Sequence, residues 1–263
     1  MAATGVTLRT ASTRSGPGYW VAGYVSMLRF DWARMRQWLV MFLAIQLLMG
    51  AGMSVMYGFF LPVIPDVVAL YITTGVPTLA LIPIGFVIVP QTIAQQRLEG
   101  SYEFLWSLPI PKFVVAASTF TLLIVVALPG VVVALLVGVW RYGVTLDVQP
   151  SIVPALVLTA LMAASVGYAM GHAISNPQLT NMVTNLVVFF VLLFSPIAFP
   201  PSRFPEWLQT VNAWLPFQHM AAVVRASLAP HLVPGGAASD YLIVTAWTVG
   251  GWLVAAWVVG RRH

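Results

Sequence analysis

Six apolar runs, each of about twenty residues or more and nearly free of charge, constrain this chain more than any other feature. They lie at residues 38–61, 67–90, 113–139, 152–175, 181–199 and 241–260. As an α-helix, a run of that length crosses the ~30 Å hydrocarbon core of a bilayer. Only 7% of the residues are charged, against roughly 25% in a soluble domain. The expectation is an all-α membrane protein with six transmembrane helices, residues 38–263 forming one transmembrane domain. No polar stretch is long enough to close a separate aqueous core.

Charge sets the orientation. With the N-terminus inside, the cytoplasmic segments hold Arg9, Arg14, Arg29, Arg34, Arg36, Arg97, Lys112, Arg261 and Arg262, and the outer loops only Arg141, Arg203 and Arg225. That asymmetry follows the positive-inside rule and places both termini in the cytoplasm. It also accounts for the net charge of +5 without a nucleic-acid partner. Cysteine is absent, which excludes disulfides, thiolate chemistry and Cys-based metal sites.

Ahead of the first run, residues 1–17 read as a tail and not as a secretory signal peptide. Residues 18–37 read as an amphipathic helix, with Val21, Tyr24, Leu28, Trp32, Met35 and Leu39 recurring at three- and four-residue steps. It either lies in the membrane interface or extends the first span into the cytoplasm.

Residues 91–112 form the one long polar segment between two spans. Gly100 predicts a break, because glycine in a helix interior costs about 1 kcal/mol against alanine. One helix is expected to end near Leu98, and Ser101 to cap a short helix over 102–107 with Glu103 in its first turn. Leu108-Pro109 and Pro111 end it. Tyr102, Leu105 and Trp106 would then be offered for contact; an ordinary structured loop is the alternative.

The last outer loop, 200–240, is too long for a hairpin and still apolar. Trp207, Leu208, Val211, Trp214 and Leu215 mark one face of a short helix bounded by Pro205 and Pro216. A second helix over 217–228 carries Arg225 near its end. A partly re-entrant pair lidding the outer side is expected.

Catalytic residues are not evident. Asp66, Asp147 and Asp240 fall at outer span ends and His172 near an inner one, so no mid-depth group offers an ion relay. The histidines show no metal-ligand spacing, although Glu206 and His219 are able to meet in the outer loop. No G-x-x-x-x-G-K-[ST] phosphate loop occurs. The polar residues within spans are mostly uncharged. Asn181, Thr184 and Asn185 share a face by their i, i+3, i+4 spacing, and Phe189 continues it. That face either lines a pathway or bonds a neighbouring helix, and so does the lone amide Gln46. Pro77 and Pro83 bend or break the second span. Ala163, Gly167 and Gly171 form a small-residue row suited to close packing.

Glu99-Gly100-Ser101-Tyr102-Glu103 followed by Leu108-Pro109 resembles the cytoplasmic segment of ABC-2 type exporter permeases. So does the outer loop, with Ser195-Pro196, Pro200-Pro201, Phe204-Pro205, Leu215-Pro216 and Arg225. Ser101 stands where threonine is usual, and Phe217-Gln218-His219 departs from the Asn-Pro of many members.

The resemblance implies the half-channel of a type V ABC exporter in a prokaryotic cell membrane. Its partners would be a second permease, identical or homologous, and two ABC ATPase subunits carrying ATP and Mg. This chain would hold no cofactor itself. Ser101–Ser107 would be the coupling helix, with Arg97, Glu99 and Gly100 at its base, and residues 18–37 a connecting helix. The cargo would be amphipathic or hydrophobic: a drug, a lipid or a lipid-linked molecule. The alternatives are an ABC-type sodium or ion extruder, a membrane-embedded enzyme, or an assembly factor without cargo. The first two are opposed by the missing charges and catalytic set.

Overall fold

The computed structural model describes residues 16–60 and 64–261 and, among them, contains helices and no strand. The tail before residue 16, with Arg9 and Arg14, and the final Arg262 and His263 lie outside the described residues. Among the described residues, six helices are long and apolar enough to cross a membrane. The first two helices are α1 (Pro17–Met35) and α2 (Leu39–Phe60). The second span begins as α3 (Asp66–Pro83), passes through one turn of π-helix at Ile84–Ile88 and continues as α4 (Val89–Leu98). After the short α5 (Ser101–Ser107) come α6 (Lys112–Tyr142), α7 (Ile152–Ala173) and α8 (Pro177–Phe194). Two helices, α9 (Glu206–Trp214) and α10 (Pro216–Leu228), precede the last span, α11 (Ala238–Gly260).

The second span is the axis of the bundle. It runs 33 residues without leaving helical geometry, so at 1.5 Å per residue it is about 50 Å long and outreaches a bilayer core. The apolar run stops at residue 90, but the helix continues through Ala94 and ends at Leu98, as expected from Gly100. Proline supplies no N–H and crowds the preceding turn; the wide π-turn at Ile84–Ile88 just precedes Pro90 and accommodates its misfit without breaking the helix.

Leu79, Ile82 and Phe86 of this span share the core with Met162 and Ala163 of α7, Val191 of α8, and Met220 and Val223 of α10. The small-residue row on α7 lies against the π-turn. A Cβ on Gly167 would come within 1.9 Å of the Gly85 carbonyl oxygen, so the two backbones touch.

The fifth span lies earlier in the chain than expected, at Pro177–Phe194 and not at 181–199. Asn176 accepts from the N–H groups of Gln178 and Leu179, and Pro177 opens the helix. The helix stops at Phe194, before Ser195-Pro196, and not at 199.

Helix α1 packs along α6 and buries Gly23, Met27 and Asp31. The expected apolar stripe is not its buried face: Val21 and Trp32 are exposed. Polar contacts set the rotation. Ser118 Oγ and Thr119 Oγ1 donate to Asp31 Oδ2 at 2.9 and 3.0 Å, and the Tyr24 hydroxyl reaches Thr121 Oγ1 at 2.8 Å. Trp20, Val21, Val25, Phe30 and Trp32 therefore point away from the protein, as suits a helix lying in an interface. Burial pushes the Asp31 pKa up, while the two hydroxyls and Arg34 pull it back.

At the opposite end α10 is sunk among α3, α7 and α11. Helix α9 covers it less deeply, turning Leu208 and Asn212 inward.

Candidate functional site

The corner between α4 and α5 has a firm base. Gly100 sits in the left-handed region at φ 72°, with open space where a side chain would stand. Only glycine enters that region without strain. Gly100 itself occupies the position before the helix, so Ser101 does not cap α5. Ser101 is the first helical residue, and its hydroxyl donates back to the Gln96 carbonyl at 3.3 Å. Glu103 falls in the first turn, and Leu108 turns extended where the prolines follow.

Arg97 ties the corner to α7. Nη1 donates to the Ile174 carbonyl at 2.7 Å and Nη2 to the His172 carbonyl at 3.2 Å, while the guanidinium lies 5.0 Å over the Tyr102 ring. Cations suit a helix C-terminus, where carbonyls lack partners. With the Gln96 amide turned so that its oxygen faces Arg34, that arginine donates to it at 3.1 and 3.2 Å. The Tyr19 hydroxyl donates to the Pro109 carbonyl at 2.6 Å, so α1 grips both sides of the corner.

The contact face of α5 is not the expected one. Leu105 is buried, and half-buried Tyr102 leans on the His172 ring. A seven-residue helix pinned through Arg97 and Tyr102 turns that side toward the spans, behind which a cavity of about 40 Å³ is lined by Thr92, Gln96, Thr119 and Tyr168. Leu98 (66%) and Phe104 (59%) are exposed instead, beside exposed Glu99 and Glu103. The Trp106 side chain lies outside what is described.

On α8, Asn181, Asn185 and Phe189 are exposed along one side. Thr184 is not with them: it is fully buried, its hydroxyl donating to the Asn181 carbonyl at 3.1 Å. Gln91 of α4, missed in the sequence, joins the amides through Nε2, 2.7 Å from Asn181 Oδ1. Its place at the first polar position after Pro90 was the available signal. Gln46 is elsewhere, buried between α2 and α6 beside Gly130, with no partner for Nε2 among the described residues.

The opposite end carries the second polar layer. Arg225 is buried; Nε donates to Thr74 Oγ1 at 3.1 Å, Nη2 donates to the Ile197 carbonyl at 2.6 Å, and the group lies 4.0 Å over Tyr71. Burial lowers its pKa to about 10, with Tyr71 and Asp240 opposing. His219 pairs with Asp240, not Glu206: Nδ1 is 2.5 Å from Oδ1, and Nε2 is 3.0 Å from the Ala213 carbonyl.

Trp207, Val211 and Trp214 face outward from α9, opposite Leu208 and so not on one face with it. Leu215 turns toward the core. Among the described residues no three His, Asp or Glu side chains converge as a metal site.

The model of a family described as ABC-2 family transporter protein matches residues 65–259. No curated protein matches the chain. The matched stretch takes in the second to sixth spans, the Gly100 corner, the α8 amides and the α9–α10 pair. With most of its length covered by that match, and with six apolar helices in the expected order, this integral membrane protein belongs to the ABC-2 transporter family.

Proposed function

We propose that the chain is the permease half of an ATP-driven exporter, moving an amphipathic or hydrophobic cargo outward. A drug, a lipid or a lipid-linked molecule fits that description. Two permease copies, or this chain and a homologous permease, would pair above two separate ATPase subunits that hold ATP and Mg. The Gly100 corner would face the cytoplasm, as the distribution of arginine and lysine favours.

The observation that carries this reading is the α5 corner. It exposes Leu98 and Phe104 beside two carboxylates while being clamped to α7 through Arg97. Apolar side chains at an aqueous surface gain about 25 cal/mol per Å² on burial in a partner groove. A push on α5 is transmitted through Arg97 to the end of α7, and through α4 to the core span. Glu99 and Glu103 would set the register of the partner more than its affinity. The charge-poor spans offer no internal ion relay, so energy supplied from outside the chain suits them.

The test is reconstitution of the permease with its ATPase, reading co-purification and ATP-dependent transport together. Leu98→Ser with Phe104→Ser should reduce ATPase capture and transport while leaving the permease folded. Normal capture and transport by that variant would remove α5 from the coupling role.

A further inference from the structure

The α8 face also limits the chemistry of the cargo. Three amides meet where α8 passes α4. Gln91 Nε2 and Asn185 Nδ2 both donate to a single oxygen, Asn181 Oδ1, at 2.7 and 2.9 Å. Asn185 Nδ2 also reaches the Asn181 main-chain carbonyl at 2.8 Å. An amide side chain carries two donor protons and a two-lone-pair oxygen. Asn181 Nδ2 is thus left as a donor, and Gln91 Oε1 and Asn185 Oδ1 as acceptors, with no partner among the described residues. Acyl chains cannot satisfy such groups, so amides exposed within a span face a wet cavity or another protein surface.

The stretches that carry the amides hold no charged side chain. No Asp, Glu, Lys or Arg occurs at residues 67–96 or 177–202. Arg97, the nearest cation in sequence, is engaged by two carbonyls of the α7 end. Beyond the amides the exposed surface of α8 winds round through Phe189 to Leu193, with exposed Leu186 alongside. A charged head entering this site would lose water and gain no counter-charge, which is unfavourable. A hydroxyl or amide head both donates and accepts, and so matches one free donor beside two free acceptors.

We propose that this face binds a neutral amphiphile. Its uncharged, hydroxyl- or amide-bearing head docks on Gln91, Asn181 and Asn185, and its apolar body lies along Leu186, Phe189 and Leu193. The proposal rests on the exporter reading for the direction of movement and on the amide geometry for the contact.

The test uses the full permease in lipid nanodiscs and three photoreactive probes with one alkyl chain and different heads: a glucoside, a sulfate and a trimethylammonium. The glucoside should label the α8 peptide saturably, and the charged probes should not. Asn181→Leu with Asn185→Leu should raise the glucoside half-saturation roughly tenfold, as loss of two ordinary hydrogen bonds implies. Gln91→Leu alone should raise it roughly threefold, which guards against a folding defect in the double variant.

Equal labelling by the charged probes, or unchanged labelling in both variants, would overturn the proposal. So would loss of permease pairing in light scattering with labelling intact, because the amides would then be a seam between copies. Labelling needs no ATPase. Selective labelling without ATP-dependent transport by the assembled complex keeps this site and removes the exporter reading. Transport with unselective labelling does the reverse.

Discussion

His219 Nδ1 and Asp240 Oδ1 stand 2.5 Å apart and tie α10 to the first turn of α11. Burial pulls the His219 pKa down, but the Asp240 hydrogen bond, the Ala213 carbonyl and the Asp240 charge outweigh it, and the net shift is upward. A histidine raised in the folded state contributes stability in full below its unfolded value of about 6.5. That contribution is lost as pH rises through the raised folded value. The unfolding temperature of the purified protein should therefore fall as pH rises above about 6.5, and His219→Gln should flatten that slope. Asp240→Asn should cost about 1.5–3 kcal/mol below pH 6.5, the range for a hydrogen bond to a charged group. An equal slope in the His219 variant would place the titration elsewhere.

The two sides of α5 should respond differently. Leu105 is buried, so Leu105→Ala should destabilise the permease itself, by about 2–5 kcal/mol. Phe104 is exposed, and Phe104→Ser should leave thermal stability within about 0.5 kcal/mol. Denaturation of the permease without any ATPase separates the two effects.

Gly100 offers a test of backbone alone. No atom stands within 4 Å of its missing Cβ, so any penalty comes from φ and not from collision. Gly100→Asn should be tolerated, because asparagine visits the left-handed region, whereas Gly100→Val should cost at least about 1–2 kcal/mol. If transport falls equally in both, contact and not conformation governs the position.

Glycines on α7 and α11 should sort by what they touch. Gly167→Ala drives a methyl into the Gly85 backbone, which cannot swing aside, and should cost about 1–3 kcal/mol or more. Gly250 has open space, and Gly250→Ala should be neutral or slightly stabilising through helix propensity. Unfolding temperatures of the pair give the comparison, and similar losses in both would mean that backbone contact at Gly167 is not the cause.

Asp31 is raised by burial, so removing its charge should be harmless. Asp31→Asn keeps an oxygen for Ser118 and Thr119 and should match or exceed wild-type stability at neutral pH. Asp31→Ala should lose about 1–3 kcal/mol. Equal damage by Asn and Ala in thermal unfolding would show that the negative charge itself is needed.

The spans, the Gly100 break and the short α5 were legible because they depend on local chemistry: apolar run length, glycine, and proline. Which side of each helix meets the protein was not. The rotation of α5 follows from Arg97 reaching carbonyls 75 and 77 residues away, and that of α1 from Asp31 reaching residues 87 and 88 away. Apolar stripes also mislead in a membrane, where lipid accepts a Trp207 or a Val21 as readily as a core does. Thr184 and Asn185 are adjacent yet point apart, and only the position of the α3–α4 span decides which is covered. Asp31, a lone carboxylate among aromatic residues, was a visible signal that its side of α1 would be held by hydroxyls.

The Asp31 contact also orders events during synthesis. Its helix leaves the ribosome before any span, but Ser118 and Thr119 follow 87 and 88 residues later. At about 5–20 residues per second that interval is roughly ten seconds. Until then α1 has only its apolar outer side to hold it, and the nascent chain must wait against the lipid surface. A cysteine placed at Gly23 in ribosome-stalled chains should react freely with water-soluble reagents when α6 is incomplete and become shielded once α6 has emerged. The third span, and not the first, would then be the step at which the amino-terminal helix acquires its permanent place.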